Sequence, residues 1–188
     1  MIALNFFGGA GIGKSTIAAE VFAKLKSKGV NAELVGEMAK DVILQRDFNA
    51  LEDQLWLFAN QAHRMRGMAQ AGVDVAVCDS PLPLSLIYGA ARDVDDNKAF
   101  TDLVWQEFDK YQNINFILER QENFWRKAGR ADDETFALRI DQQVYIYMAD
   151  RPWQAITPYD GDTVVDEVLK MIKEDKHGKL SNAQKDVA

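Results

Sequence analysis

The sequence predicts a three-layer α/β fold, in which a parallel sheet lies between two layers of helices. Three observations lead to this prediction. Short apolar segments alternate with segments of helical period along roughly the first 175 residues. A glycine-rich segment joins the first apolar segment to the first helical one. Hydrophobic residues make up 47% of the 188 residues, so one domain with a sizeable core is expected.

Each element is predicted from its own pattern. Apolar runs bounded by turn residues predict five strands, at 2–7, 31–35, 73–78, 114–118 and 153–157. Apolar residues at helical spacing predict helices at 15–28, 38–44, 51–70, 97–110, 133–149 and 164–172, with one more opened by Pro81 and Pro83. The polar tail 176–188 is expected to be disordered, which leaves 1–175 as a single domain.

Composition limits the classes of function. The net charge of −7 disfavours non-specific binding to DNA or RNA, although a local groove remains possible. Cys78 is the only cysteine, so the chain has neither an internal disulfide nor a cysteine metal cluster. No apolar run approaches the roughly 18 residues of a membrane span. The chain enters its first strand at once, leaving no room for a signal peptide, so a cytoplasmic protein is expected.

Residues 8–16 read GGAGIGKST and contain the full phosphate-loop pattern G-x-x-x-x-G-K-[ST]. Glycines let bare backbone N–H groups approach phosphate oxygens, because no side chain obstructs them. The pattern also supplies a lysine for the β- and γ-phosphates and a serine hydroxyl for Mg²⁺. The segment therefore predicts a site for a nucleoside triphosphate, formed by Gly9, Gly11, Ile12, Gly13, Lys14, Ser15 and Thr16.

Two acidic residues follow predicted strands. Asp79 ends the run VAVCD, and an acid in that place typically meets Mg²⁺ directly or through water. Its alternative role is that of a turn residue. Glu37 follows the second strand, where it can accept a proton from a substrate hydroxyl, hold Mg²⁺ through water, or act as a helix N-terminal acid. The pattern leaves these three roles open.

A cluster of cations follows the fourth predicted strand, although the chain as a whole is acidic. It consists of Arg120, Arg126, Lys127 and Arg130, around Gly129. Guanidinium groups stabilise the charge that phosphoryl transfer spreads over the γ-phosphate, so the segment is interpreted as a mobile lid. A solvated helix with pairs such as Glu122–Arg126 is the alternative.

The chain resembles the P-loop nucleoside and nucleotide kinases. It is most similar to the ribosylnicotinamide-kinase-like subgroup of small AAA-type P-loop proteins. The resemblance spans about residues 1–172. It rests on the phosphate loop and on looser segments in a fixed order: VGEMAKDVI, DQLWLFANQAHRM, VAVCDSP and the arginine-bearing stretch before ADDETFALRIDQQV.

This resemblance implies the strand order 2-3-1-4-5, a helical lid, and ATP with Mg²⁺ as cofactors. Glu37 and Asp79 match the acids that follow the second and third strands in the family. Arg126 and Arg130 match its lid arginines, and the loop 157–161 would lie near adenine. The metal ligands would be Ser15 and Asp79. The arginine that commonly follows the third-strand acid is Ser80 here, so the acceptor is left open.

The leading hypothesis is a Mg-ATP-dependent kinase that moves the γ-phosphoryl group of ATP to a small nucleoside-like acceptor. Lys14, Glu37, Asp79, Arg126 and Arg130 are its candidate catalytic residues. One alternative is a nucleotide-dependent regulatory ATPase that acts on a protein partner. Another is a kinase acting on a modified base or an end of a nucleic acid, which the net charge disfavours. The sequence makes no prediction of oligomeric state.

Overall fold

The computed structural model of the chain describes residues 1–92, 97–122, 125 and 132–185. Its strands are β1 (Ile2–Phe7), β2 (Ala32–Val35), β3 (Val75–Cys78), β4 (Gln112–Leu118) and β5 (Gln154–Ile156). Its helices are α1 (Lys14–Ser27), α2 (Met38–Gln45), α3 (Gln54–Gln70), α4 (Leu84–Ala91), α5 (Lys98–Phe108), α6 (Glu134–Tyr147) and α7 (Gly161–Lys185). A short 3-10 helix covers Phe48–Leu51.

The five strands form one parallel sheet in the order β2-β3-β1-β4-β5, which confirms the predicted topology. β1 lies at the centre, where Asn5 is paired with Cys78 of β3 and with Asn115 of β4. Carboxyl ends of parallel strands meet at one edge of a sheet. The residues that follow β1, β2 and β3 are therefore brought to the same edge.

Helices cover both faces of the sheet. Successive strand residues point to opposite faces, so each face carries apolar side chains that the helices bury. Leu4 and Phe6 are fully buried on the face that α1 and α7 cover. Phe7 lies on the other face, packed with Phe108 of α5 and Ile140 of α6. A fully buried side chain of this size contributes about 1.5–3 kcal/mol, so these contacts fix the helices firmly on the sheet.

Aspartates define where two of the helices near the cavity begin. The Asp53 carboxylate accepts a hydrogen bond from the backbone N–H of Trp56 at 2.8 Å, and α3 begins at Gln54. Asp133 accepts from the N–H of Phe136 at 2.8 Å, directly before α6. Each cap satisfies an N–H group that has no partner within the helix and stabilises it by about 1 kcal/mol.

The last helix differs from its predicted extent. It begins at Gly161 rather than at 164, and it continues to Lys185 rather than ending at 172. It therefore extends into the polar tail, while the division of the chain at residue 175 stays a prediction. None of the described helices is both long enough and apolar enough to cross a membrane.

Candidate functional site

The glycine-rich segment 8–16 forms the loop between β1 and α1. Gly11 has a φ of 76° and Gly13 a φ of 106°, a left-handed conformation that other residues rarely adopt. These turns let α1 begin at Lys14, directly behind the loop. The first N–H groups of a helix have no partner within it, and the first turn of α1 carries no acidic side chain. The loop therefore offers a set of N–H donors to an anion.

Lys14 is held against the loop. Its side chain is buried, and Nζ donates to the carbonyl oxygens of Gly8 at 2.7 Å and of Gly9 at 3.0 Å. An ammonium group has three donors, so one N–H remains for a ligand. The loop carbonyl groups therefore fix the position of the Lys14 ammonium group without a bound phosphate.

Asp79 is buried directly after β3, with 6% of its surface exposed. Its Oδ1 atom has no hydrogen-bond partner among the described residues. A buried carboxylate oxygen without a partner is unfavourable unless a ligand or a metal-bound water fills the place. Burial and this carboxylate raise the pKa of the neighbouring Cys78 thiol to about 12.

The chemistry of these residues suits Mg²⁺ rather than a metal held entirely by protein. Within the described residues, no group of three or more His, Cys, Asp or Glu side chains converges as metal ligands would. Mg²⁺ usually takes one or two protein ligands and completes its shell with phosphate oxygens and water. A serine hydroxyl at Ser15 and the orphaned oxygen of Asp79 match that pattern.

A cavity of about 350 Å³ opens from the phosphate loop. Gly11, Gly13, Lys14, Ser15 and Thr16 line one end of it. The remainder is walled by the start of α2, by α3 and by α4, and its polar lining there includes Glu37, Lys40, Gln54, Gln61, Ser80, Tyr88, Arg92 and Asp132. The phosphate loop therefore shares one cavity with side chains from three other helices.

Glu37 lines this cavity at the residue that precedes α2. Its carboxylate makes no capping hydrogen bond to α2, although it occupies the N-cap position. Burial raises the pKa of the nearby Tyr88 hydroxyl, and the negative charge of Glu37 raises it further. The structure thus places Glu37 beside the cavity, in the neighbourhood of Tyr88.

Two buried glutamines on α3 are site residues that the sequence analysis missed. Gln54 donates from Nε2 to the carbonyl oxygen of Leu51 at 2.8 Å. Gln61 is only 5% exposed, and neither its Oε1 nor its Nε2 has a partner among the described residues. An amide buried without partners in the wall of a cavity is suited to a ligand that both donates and accepts hydrogen bonds.

Arg92 and Asp132 form a second polar group in the cavity wall that was not predicted. Arg92 Nη2 lies 2.8 Å from Asp132 Oδ1 and 3.0 Å from Oδ2, and Nη1 donates to Glu52 at 2.9 Å. Burial raises the pKa of the Asp132 carboxyl, and the nearby Arg92 cation partly offsets this. The pair adds a charged donor and a charged acceptor to the cavity wall.

The cation cluster is only partly covered by the structure. Arg126 and Arg130 lie outside the described residues, and their lid role stays a prediction. Arg120 is described, and its side chain is mostly buried against the phosphate loop rather than on a mobile segment. Asp141 of α6, which the sequence analysis did not single out, is its partner.

A family model described as an AAA domain matches residues 3–162. The chain belongs to this AAA domain family. The match includes the phosphate loop and all the cavity residues named above. No curated protein matches the sequence significantly.

Solved structures of a deoxyadenosine kinase from M. mycoides share this fold. Its dATP complex matches with a TM-score of 0.57 and 15% identity, over 92% of this chain and 98% of that chain. The dCTP complex gives 0.57 and 15%, over 92% and 99%. The complex with dCMP and dCDP gives 0.56 and 15%, over 93% and 99%. These likenesses confirm the predicted fold, whereas the ribosylnicotinamide-kinase-like subgroup stays a prediction.

Proposed function

We propose that this protein is a Mg-ATP-dependent phosphotransferase that moves the γ-phosphoryl group of ATP to a nucleoside-like acceptor. The observation that carries this proposal is the cavity of about 350 Å³ that joins the phosphate loop to a wall of polar side chains, among them the buried Gln54 and Gln61. Phosphoryl transfer depends mainly on placing donor and acceptor together and on stabilising charge. A cavity shared by the two substrates supplies that placement.

The donor end is formed by the loop and α1. The N–H groups of Gly11 and Gly13 would hold phosphate oxygens, and Lys14 would use its remaining N–H toward the β- and γ-phosphates. Ser15 and Asp79 would hold Mg²⁺, Asp79 through its unpartnered oxygen. When bound, that ion neutralises the charge that develops on the phosphates.

Glu37 is assigned to the acceptor hydroxyl. It lies in the cavity wall, at the residue that precedes α2. In this position it can orient the hydroxyl and accept its proton as the new bond to phosphorus forms. Arg126 and Arg130 are proposed, from the sequence alone, to stabilise the transferred group.

The polar and apolar wall of the cavity outside the phosphate loop is suited to a nucleobase. Gln61 supplies an unused donor and an unused acceptor, and Arg92 with Asp132 supplies one of each with charge. Phe58 and Leu57 give the same wall an apolar surface for the flat ring. The dATP and dCTP bound by the structurally similar deoxyadenosine kinase support an acceptor of this chemical class.

A phosphate-transfer screen tests the proposal. The protein is incubated with Mg²⁺, ATP labelled in its γ-phosphate, and separate nucleosides and nucleoside monophosphates, and labelled products are identified by mass spectrometry. We expect label on at least one acceptor. Label recovered only as inorganic phosphate with every acceptor would refute a kinase, and stimulation of that hydrolysis by a protein would favour the regulatory ATPase.

Two lysine variants provide the controls. Lys14→Ala removes the buried ammonium at the loop, and transfer should fall by about 10³-fold or more because a cation at the transferring phosphate is lost. Lys26→Ala alters an exposed lysine on the same helix, which contacts Glu33 at 3.2 Å and the Phe22 ring at 5.8 Å on the surface. It should transfer phosphate at the unmodified rate. Equal activity of Lys14→Ala would contradict the assignment.

A further inference from the structure

A mostly buried ion pair lies between the phosphate loop and α6. Neither of its members has a role in the function proposed above. Arg120, two residues after β4, donates from Nε to Oδ2 of Asp141 in α6 at 2.6 Å. The two side chains are only 13% and 16% exposed. Since burying a charged pair costs desolvation free energy, such a pair needs further hydrogen bonds to be favourable.

Both members of the pair obtain those bonds from the loop backbone. The N–H group of Gly9 donates to Asp141 Oδ1 at 2.6 Å. Arg120 Nη2 donates to the carbonyl oxygen of Ala10 at 3.0 Å. Asp141 therefore binds the N–H group of Gly9, and Arg120 binds the carbonyl group of the next residue, Ala10.

These contacts set the direction of particular peptide groups. In a planar trans peptide the C=O and the following N–H point in opposite directions. Arg120 binds the Ala10 carbonyl, so the N–H group of Gly11 is turned away from Arg120. Gly11 is one of the loop residues that line the cavity. The pair therefore fixes the orientation of a donor in the candidate phosphate site.

Asp141 and Lys14 are connected through one peptide group of the loop. The carbonyl of Gly8 and the N–H of Gly9 belong to one peptide group. Lys14 Nζ donates to its oxygen at 2.7 Å, and its N–H donates to Asp141 at 2.6 Å. A cation and an anion thus bind opposite edges of one peptide, and each bond polarises the group in favour of the other.

The backbone of α6 also packs directly on the loop. A Cβ atom placed on Gly9 would lie 2.3 Å from the carbonyl oxygen of Ala137 and 2.9 Å from Asp141 Oδ1. Contacts this close leave no room for a side chain at Gly9. The loop is therefore seated on α6 by backbone packing as well as by the ion pair.

We propose that Asp141 and Arg120 are positioning residues that hold the phosphate loop, and through the Gly8–Gly9 peptide the Lys14 ammonium, in the shape that binds a triphosphate. The inference rests on the proposed function in taking a nucleoside triphosphate as the ligand of the loop. It adds two residues that act on the loop through its backbone groups.

Calorimetric titration with MgATP tests the proposal on the full chain, without the need for an acceptor. Asp141→Asn removes the charge and leaves one oxygen for two donors, so either Gly9 or Arg120 must face the amide N–H₂ group instead of an acceptor. Its Kd for MgATP should rise by about ten-fold or more, as expected for loss of a charge-assisted hydrogen bond. Arg120→Lys keeps the charge but lacks the rigid fork that spans Asp141 and Ala10, so its Kd should rise by several-fold.

Asp109→Asn is the matched control. Asp109 forms a comparable two-bond pair with Arg151, at 2.6 and 3.2 Å, on the protein surface. Its Kd for MgATP should stay within about two-fold of the unmodified value, because an exposed pair contributes little. Thermal melting of each variant shows that the protein titrated is folded.

Two further readouts separate positioning of the loop from a general loosening. In steady-state assays, Asp141→Asn should raise KM for ATP while KM for the acceptor stays unchanged. In a double-variant cycle, Arg120→Ala should weaken MgATP binding much less in Asp141→Asn than in the unmodified protein, because the two residues act together.

The outcomes are distinct. Folded Asp141→Asn and Arg120→Lys variants that bind MgATP as tightly as the unmodified protein would overturn the positioning role and leave the proposed function intact. Equal increases in both KM values, or additive effects in the cycle, would also overturn it. Absence of MgATP binding by the unmodified protein would overturn both proposals.

Discussion

Replacing Gln61 by methionine should increase the stability of the protein and lower its phosphate-transfer activity. Both polar atoms of this amide are buried without a described partner, at 5% side-chain exposure. Leaving a buried polar atom unsatisfied costs about 1–3 kcal/mol, and a buried water can recover part of that. Methionine fills a similar volume without polar atoms. The free energy of unfolding should therefore increase by about 1–3 kcal/mol.

For a chain of this length, that increase corresponds to a melting temperature higher by about 2–12 °C. The same substitution removes both hydrogen bonds proposed for the acceptor base, so kcat/KM for the acceptor should fall by about 10–100-fold. Thermal and urea denaturation without ligands measure the first effect, and the phosphate-transfer assay measures the second. Opposite signs for stability and activity are the signature of a residue kept for binding.

Gln54→Met is the matched control, because Gln54 lies on the same helix, is 9% exposed and lines the same cavity. Its amide donates to Leu51 O at 2.8 Å, so its replacement should destabilise the protein by about 0.5–1.5 kcal/mol. Gln61→Met could instead destabilise the protein as much as Gln54→Met does. The Gln61 amide would then have a structural partner, and its proposed availability to a ligand would be wrong.

Four other predictions follow from the same structure. Asp79→Asn should lower phosphate transfer by about 10²-fold or more and raise the Mg²⁺ concentration needed for half-maximal rate, which a magnesium titration measures; an unchanged titration would remove Asp79 from the metal site. Glu37→Gln should lower kcat by about 10²-fold with KM for ATP unchanged, and a proportional rise in that KM would contradict its role at the acceptor. Because its pKa is raised to about 12, the Cys78 thiol should stay protonated and resist iodoacetamide at pH 8 in the native protein, yet react readily in urea; rapid native alkylation, followed by mass spectrometry, would be inconsistent with its burial. Gly9→Ala should lower the free energy of unfolding by about 1–3 kcal/mol in urea titrations, since its Cβ meets a backbone oxygen of α6 at 2.3 Å, and an unchanged midpoint would show that the contact is not tight.

The elements and the phosphate loop could be predicted because their signals are local. The loop pattern lies within nine residues, and its position between a strand and a helix is visible in the sequence. The predicted strand at 2–7 has the bounds of β1, and the other strands differ by one or two residues at an end. The strand order came from the family resemblance, because periodicity carries no information about which strands are neighbours.

The buried glutamines were missed because a polar residue on a helix is normally expected on the outer face. Helical spacing places Leu55 on the same face as Phe58 and Met65, but Leu55 is 55% exposed. Gln54 and Gln61 are buried there instead, alongside Phe58 and Met65. Hydrophobic periodicity therefore assigns the wrong face to polar residues such as Gln54 and Gln61, which point inward because they line a cavity.

The pair Arg120–Asp141 could not be predicted from local pattern, since Asp141 contacts Gly9 across 132 positions of the chain. One signal was present in the sequence. Asp141 stands four residues after Ala137 and three before Val144, which are both buried, so it shares the inward face of α6. An acid on such a face is a candidate for a specific partner, and here the partner is the loop.

A crystal structure with Mg²⁺ and a non-hydrolysable ATP analogue would show directly whether the loop binds a triphosphate. We expect density for the triphosphate along the N–H groups of residues 11–16, with Mg²⁺ between Ser15 and Asp79. The γ-phosphate should face the cavity that Gln61 lines. A triphosphate bound with its γ-phosphate directed away from that cavity, or no nucleotide density at the loop at a saturating concentration, would contradict the account.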